Sequence, residues 1–494
     1  MTFQHRFKVL LAAGLLLILS ACEQFTEFNQ NPNEPTEVSA DVLFASTVRS
    51  AMNTMVTESF LLGNNAAQLT TKTLRTEVDT YNWNAFPTVW EGMYEALTDA
   101  LAVADQAIES GNEAQEGAAV VWKSWIFATL TNAYGDIPYF NAIAGDEGNF
   151  TPVYDSQEAI YADLLDELER ATTLLDGSGS IDGDLIFNGD AAKWKKLANS
   201  LRLRLLMTAG DKISDSGSQF SSIVASGDIM TSNDDNAVLG YLAGFPNQYP
   251  LIPLKTGDFD AVAISEASIS VMSQYNDPRL LRYARPDNED FTTSPEFVGA
   301  VNGANSGNCS KVGSRLGVQY WDNPSTTQAA DLGLSSADGI VMTYAEVEFL
   351  LAEAAAMGWI SEDIEEHYRA GIEASMMYHQ VDLAPFGWAD FADFYANSGV
   401  AYSETMDIWE QKWLALFFHG LEPYFEVRRW YLASGSDWDA IPFLNAPCEN
   451  LNNDNLPMRF LYPGEEQSLN SANYNAAVES LGGNDQNATM WLVD

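Results

Sequence analysis

Two short stretches put aromatic rings where no apolar periodicity calls for them. In RTEVDTYNWNAF, Tyr81, Trp83 and Phe86 stand among Arg75, Asp79, Asn82 and Asn84, and in QYWDNP, Tyr320 and Trp321 precede Asp322 and Asn323. A sugar ring has an apolar C–H face and a polar rim. An aromatic platform covers the first, and Asn, Asp and Arg hydrogen-bond the second. Tyr81, Trp83, Tyr320 and Trp321, with Arg75 and Asp79 beside them, are therefore the candidate ligand contacts. The alternative is that these rings pin their loops to the body of the protein, because buried aromatics usually serve packing.

Other chemistry finds little support. The four histidines, at 5, 367, 379 and 419, have no metal-ligand spacing and read as structural or surface residues. There is no GxSxG elbow, no P-loop and no GxGxxG after a strand, and the Gly-rich GSGSIDGD at 177–184 lacks the Lys-Ser/Thr of a phosphate cradle. Asp182, Asp184 and Asp190, and the run Asn233-Asp234-Asp235-Asn236, offer oxygen ligands without the spacing and closing Glu of a calcium loop, so no metal or other cofactor is expected. Carboxylate pairs for glycoside hydrolysis are too numerous to choose among, since their separation in space is what matters. Basic residues are scarce. Lys193, Lys195, Lys196, Arg202 and Arg204 share one helix, and Arg428 with Arg429 closes another. The expectation is that they pair with the acidic surplus and lock helices together, in preference to forming a cationic ligand site.

The start of the chain says where such a protein works. His5, Arg6 and Lys8 precede an 11-residue apolar block, Val9 to Leu19, and Leu19-Ser20-Ala21-Cys22 follows. The block is too short for a membrane-spanning helix, which needs about 20 residues, and the pattern is that of a signal peptide. The small residues before Cys22 resemble the lipobox of bacterial lipoproteins, which implies removal of 1–21, acylation of Cys22 and a membrane-tethered chain. Residues 22–37, with Pro32 and Pro35, then read as a flexible leash. An ordinary secretory signal is the alternative.

With 69 acidic against 24 basic residues, a net charge of −45 and a pI near 4.1, the surface repels phosphate backbones, so nucleic acid is a poor partner. The chain is 46% hydrophobic, with a mean hydropathy of −0.14, as a globular core requires. Three cysteines occur. With Cys22 acylated, Cys309 and Cys448 remain in an oxidising compartment, where a disulfide between them is permitted and two free thiols are the alternative.

Helical periodicity dominates the remainder, and predicts a mainly α fold. In YDSQEAIYADLLDELERATTLLDG, Asp155 with Glu158 suggests a capping-box-like start, Ile160, Leu164, Leu168, Ala171 and Leu175 form one face, and Gly177 closes it. AVVWKSWIFATLTNAYGD is apolar around most of its circumference and reads as a buried helix, ended by Gly135 and Pro138. Trp194, Leu197, Leu201 and Leu205 share a face of the next helix. Ala354–Gly358 followed by a second helix from about Glu362 resembles a tetratricopeptide-type unit, in which small residues allow close helix pairing. Helices are expected over 41–226 and 342–432. Residues 227–341 read as an irregular, loop-rich subdomain with a few short strands, and 433–494 as a loop-rich tail of the same single domain, 38–494.

Taken together, LSAC with its leash, NAYGDIPYF (132–140), PVYDSQEAIYADLLDELERA (152–171), GDAAKWKKLANSLRLRLLM (189–207), MTYAEVEFLLAEAAAMGW (342–359), IWEQKWLALFFHGLEPYFEVRRW (408–430) and PMRFLYPGEEQSLN (457–470) resemble the SusD/RagB family, more closely its SusD-like branch. The resemblance implies tetratricopeptide-like helices on one side, a loop-rich ligand region on the other, and no catalysis. It implies a lid at the outer membrane that captures a nutrient, usually a glycan, and delivers it to a SusC-like TonB-dependent barrel transporter. A peptide or other non-sugar cargo, a surface glycoside hydrolase, and a scaffold that binds only protein remain as alternatives.

Overall fold

The computed structural model describes residues 38–494 other than 146, 243, 306 and 321–336. The signal segment, Cys22, the leash, His5 and Trp321 lie outside the described residues. A first series of helices, α1 (Ala40–Glu58), α2 (Pro87–Ser110), α3 (Glu113–Tyr134), α4 (Gln157–Leu174), α5 (Ala191–Ala209) and α6 (Ser216–Ser226), packs each member against the next. α3 is buried on nearly every side, from Ala114 to Tyr134, as its continuous apolar surface demands. Ile160, Leu164, Leu168, Ala171 and Leu175 of α4 and Trp194, Leu197, Leu201 and Leu205 of α5 all lie in the core.

The start of α4 corrects the expected cap. Ser156, not Asp155, is the N-cap, its Oγ accepting from the Ala159 amide. Asp155 instead ties down the preceding loop, its Oδ2 accepting from the Tyr139 and Phe140 amides at 3.0 and 2.9 Å. The Asp/Glu spacing is the same either way. Which oxygen faces the helix end depends on the path of 137–155, where Ile137 bridges to Asp155.

Among its described residues the region 227–341 holds short strands, as expected, two single-turn helices and one longer helix that its Ser-rich sequence conceals, α7 (Glu266–Gln274), capped by Ser265. Strand β1 (Thr70–Lys72) lies antiparallel to β3 (Val262–Ile264), and β2 (Ala237–Leu239) to β4 (Gly339–Met342). Each pair joins segments more than 90 residues apart, so the loops are fastened to the helical body. Beyond β4, α8 (Tyr344–Ala356) pairs with α9 (Ile364–Tyr378), and α10 (Thr405–Ala415) and α11 (Glu422–Ala433) follow. Gly371 of α9 lies against the Phe349 ring of α8, where a Cβ would come within 2.9 Å of it. That close approach is what the small residues of the pair permit.

Five of the seven cations singled out in the sequence pair with carboxylates, and two, Lys193 and Arg428, bind backbone carbonyls instead. Lys195 meets Asp176, Lys196 meets Asp235, Arg202 meets Glu169, and Arg204 forms a buried fork on Glu346. Lys193 donates to the Asp234 carbonyl, and Arg428 to the carbonyls of Asn132 and Met458. Arg429 binds Glu353 and Glu426. Asp184 accepts from the amides of Ile186, Phe187 and Gly189 and from the Trp194 indole, and Asp190 caps α5. These carboxylates are spent on backbone geometry, and no cluster of metal-ligating side chains occurs among the described residues. The described histidines are structural. His367 pairs with Glu348, His379 packs edge-on against Tyr283, and His419 lies buried beside Thr343.

Candidate functional site

A cleft of about 390 Å³ opens where the end of α1 meets the loops after β1 and before β3. At its base α1 passes into a π-helical turn, Ser59–Gly63. Gly63 there abuts the Gly420 carbonyl so closely that a Cβ would lie 2.0 Å from its oxygen. Such turns inside α-helices recur at functional sites because they re-aim side chains. Here Leu61 is turned outward while Phe60 stacks on Phe259, ring centroids 5.6 Å apart. Leu74 and Arg75 after β1, Pro250, Leu251 and Leu254 before β3, and the paired Lys72 and Val262 of the two strands line it.

Arg75 is exposed and has a positive φ of 57°, a left-handed backbone that a non-glycine residue adopts only when its surroundings impose it. Asp79 imposes it. Its fully buried carboxylate accepts from the Thr71 hydroxyl at 2.8 Å and from the Lys72 amide, which folds the 73–79 turn back onto β1. Burial pushes the Asp79 carboxyl up to about 7, and burial does the same to Glu58 at the end of α1. Lys72 is pushed down by its own desolvation, against the pull of Asp79 and Glu77.

A carboxyl raised on folding contributes stability that is fully present below its unfolded value near 3.8 and is lost as pH rises through about 7. Asp79→Asn keeps a carbonyl acceptor for Thr71 and Lys72 and cannot ionise. The variant is expected to match the parent near pH 4 and to exceed it in stability above pH 7. Between those limits one retained proton costs the parent about 1.4 kcal/mol for each tenfold fall in proton concentration. Urea unfolding at a series of pH values measures this, and the same pH dependence in parent and variant between pH 4 and 7 would refute it.

The structure distributes the six candidate contacts unequally. Of the five that lie among the described residues, Arg75 alone lines the cleft. Asp79 is buried and closes the turn that carries Arg75. Tyr81 is 0% exposed, its hydroxyl donating to the Ala66 carbonyl at 3.1 Å and its ring stacked on Trp438. Trp83 is 6% exposed, hydrogen-bonded through its indole to the Val78 carbonyl and wedged among Phe86, Tyr424 and Phe460. Tyr320 is 3% exposed and stacks on Phe418 at 4.2 Å. A ring without free surface has no face to offer a ligand, so in this conformation Tyr81, Trp83 and Tyr320 pin their loops to the body. Trp321 lies outside the described residues.

Leu74, 62% exposed beside Arg75, is an isolated aliphatic residue in a polar stretch, and nothing in its local pattern marks it as a ligand wall. The wall at 250–254 carries no signal that would link it to residue 75. The disulfide between Cys309 and Cys448, whose Cα atoms are 6.6 Å apart, closes the back of the same loop. The Cys448 amide donates to the Asn302 carbonyl, Asn302 to the Thr70 carbonyl, and the Leu451 amide to the Thr80 carbonyl.

Two other clefts have similar size. One, about 540 Å³ beside Ser39, Gln106 and Asp182, has no ring or large aliphatic side chain in its walls. The other, about 410 Å³ beside Met357 and Leu432, has its arginines already paired. Of these three, the cleft at Arg75 joins exposed aliphatic faces to an arginine that pairs with no carboxylate among the described residues. An aliphatic lining with charged and polar side chains among it is the composition of a small-molecule binding cleft.

Comparison with known proteins places this architecture. The model of the family described as "Starch-binding associating with outer membrane" matches residues 32–463, so the chain belongs to the SusD-like family. A SusD homologue from Bacteroides fragilis NCTC 9343 superposes with a TM-score of 0.76 at 26% identity, over 92% of this chain and 100% of that one. A Bacteroides vulgatus ATCC 8482 structure, described in terms of nutrient binding at the outer membrane, gives 0.75 at 28% identity over the same shares. A chitin-binding SusD homologue from Flavobacterium johnsoniae shares the fold, with a TM-score of 0.73 at 21% identity over 91% of this chain and 98% of that one. No curated protein sequence matches the chain. The mainly α architecture and the family are those the ordered segments resembled. Among the described residues no helix is long and apolar enough to cross a membrane.

Proposed function

We propose that this protein captures an oligosaccharide in the cleft at Arg75 on the cell surface and delivers it to a SusC-like TonB-dependent barrel transporter, acting without catalysis. An acyl chain on Cys22 holds it at the outer membrane, and residues 23–37 supply the slack of a lid. The reading rests on family membership together with one observation. The chain is strongly acidic and most of its cations are committed, yet Arg75 is held exposed, by a strained turn, beside aliphatic walls suited to a sugar's C–H face.

Arg75→Ala is expected to weaken glycan binding at least about tenfold, the worth of a charge-assisted hydrogen bond, without lowering the melting temperature. Calorimetric titration against an oligosaccharide panel tests it, and unchanged affinity would exclude the cleft.

Burial of Tyr81, Trp83 and Tyr320 favours a second reading, in which the lid carries a peptide or other non-sugar cargo, because three expected stacking platforms are withdrawn from solvent. A bound peptide competing away the glycan, or binding where no glycan does, would select it.

A further inference from the structure

Between Asp235 and Lys255 the chain carries no charged residue, in a protein with a net charge of −45. The middle of this stretch is a tight loop in which the Leu242 amide donates to the Asn247 carbonyl at 2.8 Å and the Asn247 amide to the Gly244 carbonyl at 3.0 Å. Its base is fixed. Tyr241 and Tyr249 meet edge-on with centroids 5.3 Å apart, Tyr249 is fully buried, and the Tyr241 hydroxyl donates to Asn53 of α1 at 3.0 Å. The side chain at the tip does the opposite. Phe245 is 87% exposed.

The same segment continues as Pro250, Leu251 and Leu254, one wall of the cleft at Arg75. Phe245 is five residues from Pro250, hence within about 18 Å of it. A ring held out in water on a braced loop, whose chain runs on into a ligand wall, offers the apolar face on which a saccharide's C–H face stacks. Buried Tyr81, Trp83 and Tyr320 do not offer that face.

We propose that Phe245 is an outer stacking platform for a chain-like saccharide whose inner units occupy the cleft at Arg75. The proposal rests on the glycan reading above and adds that the site prefers long ligands to short ones.

The test uses the whole protein and the disaccharides and hexasaccharides of the malto-, cello-, xylo-, laminari- and chito- series. For whichever series binds, Phe245→Ala is expected to weaken the hexasaccharide about three- to tenfold, the effect of one stacking contact. Disaccharide affinity and melting temperature should stay as in the parent, and Phe245→Trp should restore hexasaccharide binding. Equal weakening of both lengths, or none while Arg75→Ala still weakens both, would overturn the outer platform and leave the glycan site standing. Failure of every series to bind the parent would instead remove the glycan reading, and this inference with it.

Discussion

Replacing Glu353 with alanine is expected to cost about 3–5 kcal/mol of unfolding free energy, the usual loss when one partner of a buried ion pair is removed. Glu353, on α8, receives both terminal nitrogens of Arg429 at 2.7 Å, one on each oxygen, and the Trp409 indole at 2.9 Å. Arg429 also reaches Glu426 at 2.6 Å, and Lys412, without exposed surface, lies 3.1 Å from the same carboxylate. Two carboxylates and two cations thus balance at the junction of α8, α10 and α11. Without Glu353, Arg429 and Lys412 share a single counter-charge where water has little access. Glu353→Gln, which keeps an acceptor and the shape, should lose roughly half as much. Denaturant titration checks both, and a loss below about 1 kcal/mol for the alanine variant would mean that the junction relaxes and hydrates. Folded domains hold only about 5–15 kcal/mol in reserve, so such a substitution approaches the limit of what they survive.

Opening the disulfide has the second large effect. Cys309 and Cys448 are 139 residues apart in sequence, and a bridge closing so long a loop removes much freedom from the unfolded chain. The double variant Cys309→Ser/Cys448→Ser is expected to lose about 2–5 kcal/mol, and the parent protein in reductant should fall to the same value. The bridge ties the chain near Asn302 to the chain near Leu451, and these hold the turn that carries Arg75 through the bonds of Asn302 to Thr70 and Leu451 to Thr80. Reduction should therefore also weaken ligand binding at temperatures well below unfolding. Parent and double variant melting together under oxidising conditions would contradict the stabilising role.

The parts of this protein legible in one dimension are those where burial repeats along the chain. The apolar faces of α4 and α5 and the all-round apolar surface of α3 correspond residue for residue to the core, because a helix that packs must place an apolar side chain every three or four positions. The pairing of most cations with acids is legible for a simpler reason, that a few bases among many acids seldom lack a partner, though Lys193 and Arg428 bind carbonyls instead. The family followed from segments of this kind occurring in order.

Only the tertiary structure decided which rings meet solvent. Tyr81 and Trp83 lie in a polar, aperiodic stretch, and their local sequence resembles that of an exposed loop. They are buried by residues hundreds of positions away, with Trp438 over Tyr81 and Gln486 and Phe460 against Trp83. Phe245 also lies in a loop rich in Gly and Pro and remains outside, because nothing distant among the described residues closes over it. The cleft itself draws on Leu61, Arg75 and Leu254, brought together by the β1–β3 pairing. Periodicity records what a residue's own element buries. The exposure of a loop side chain is set by contacts between remote segments, and those exist only once the chain has folded.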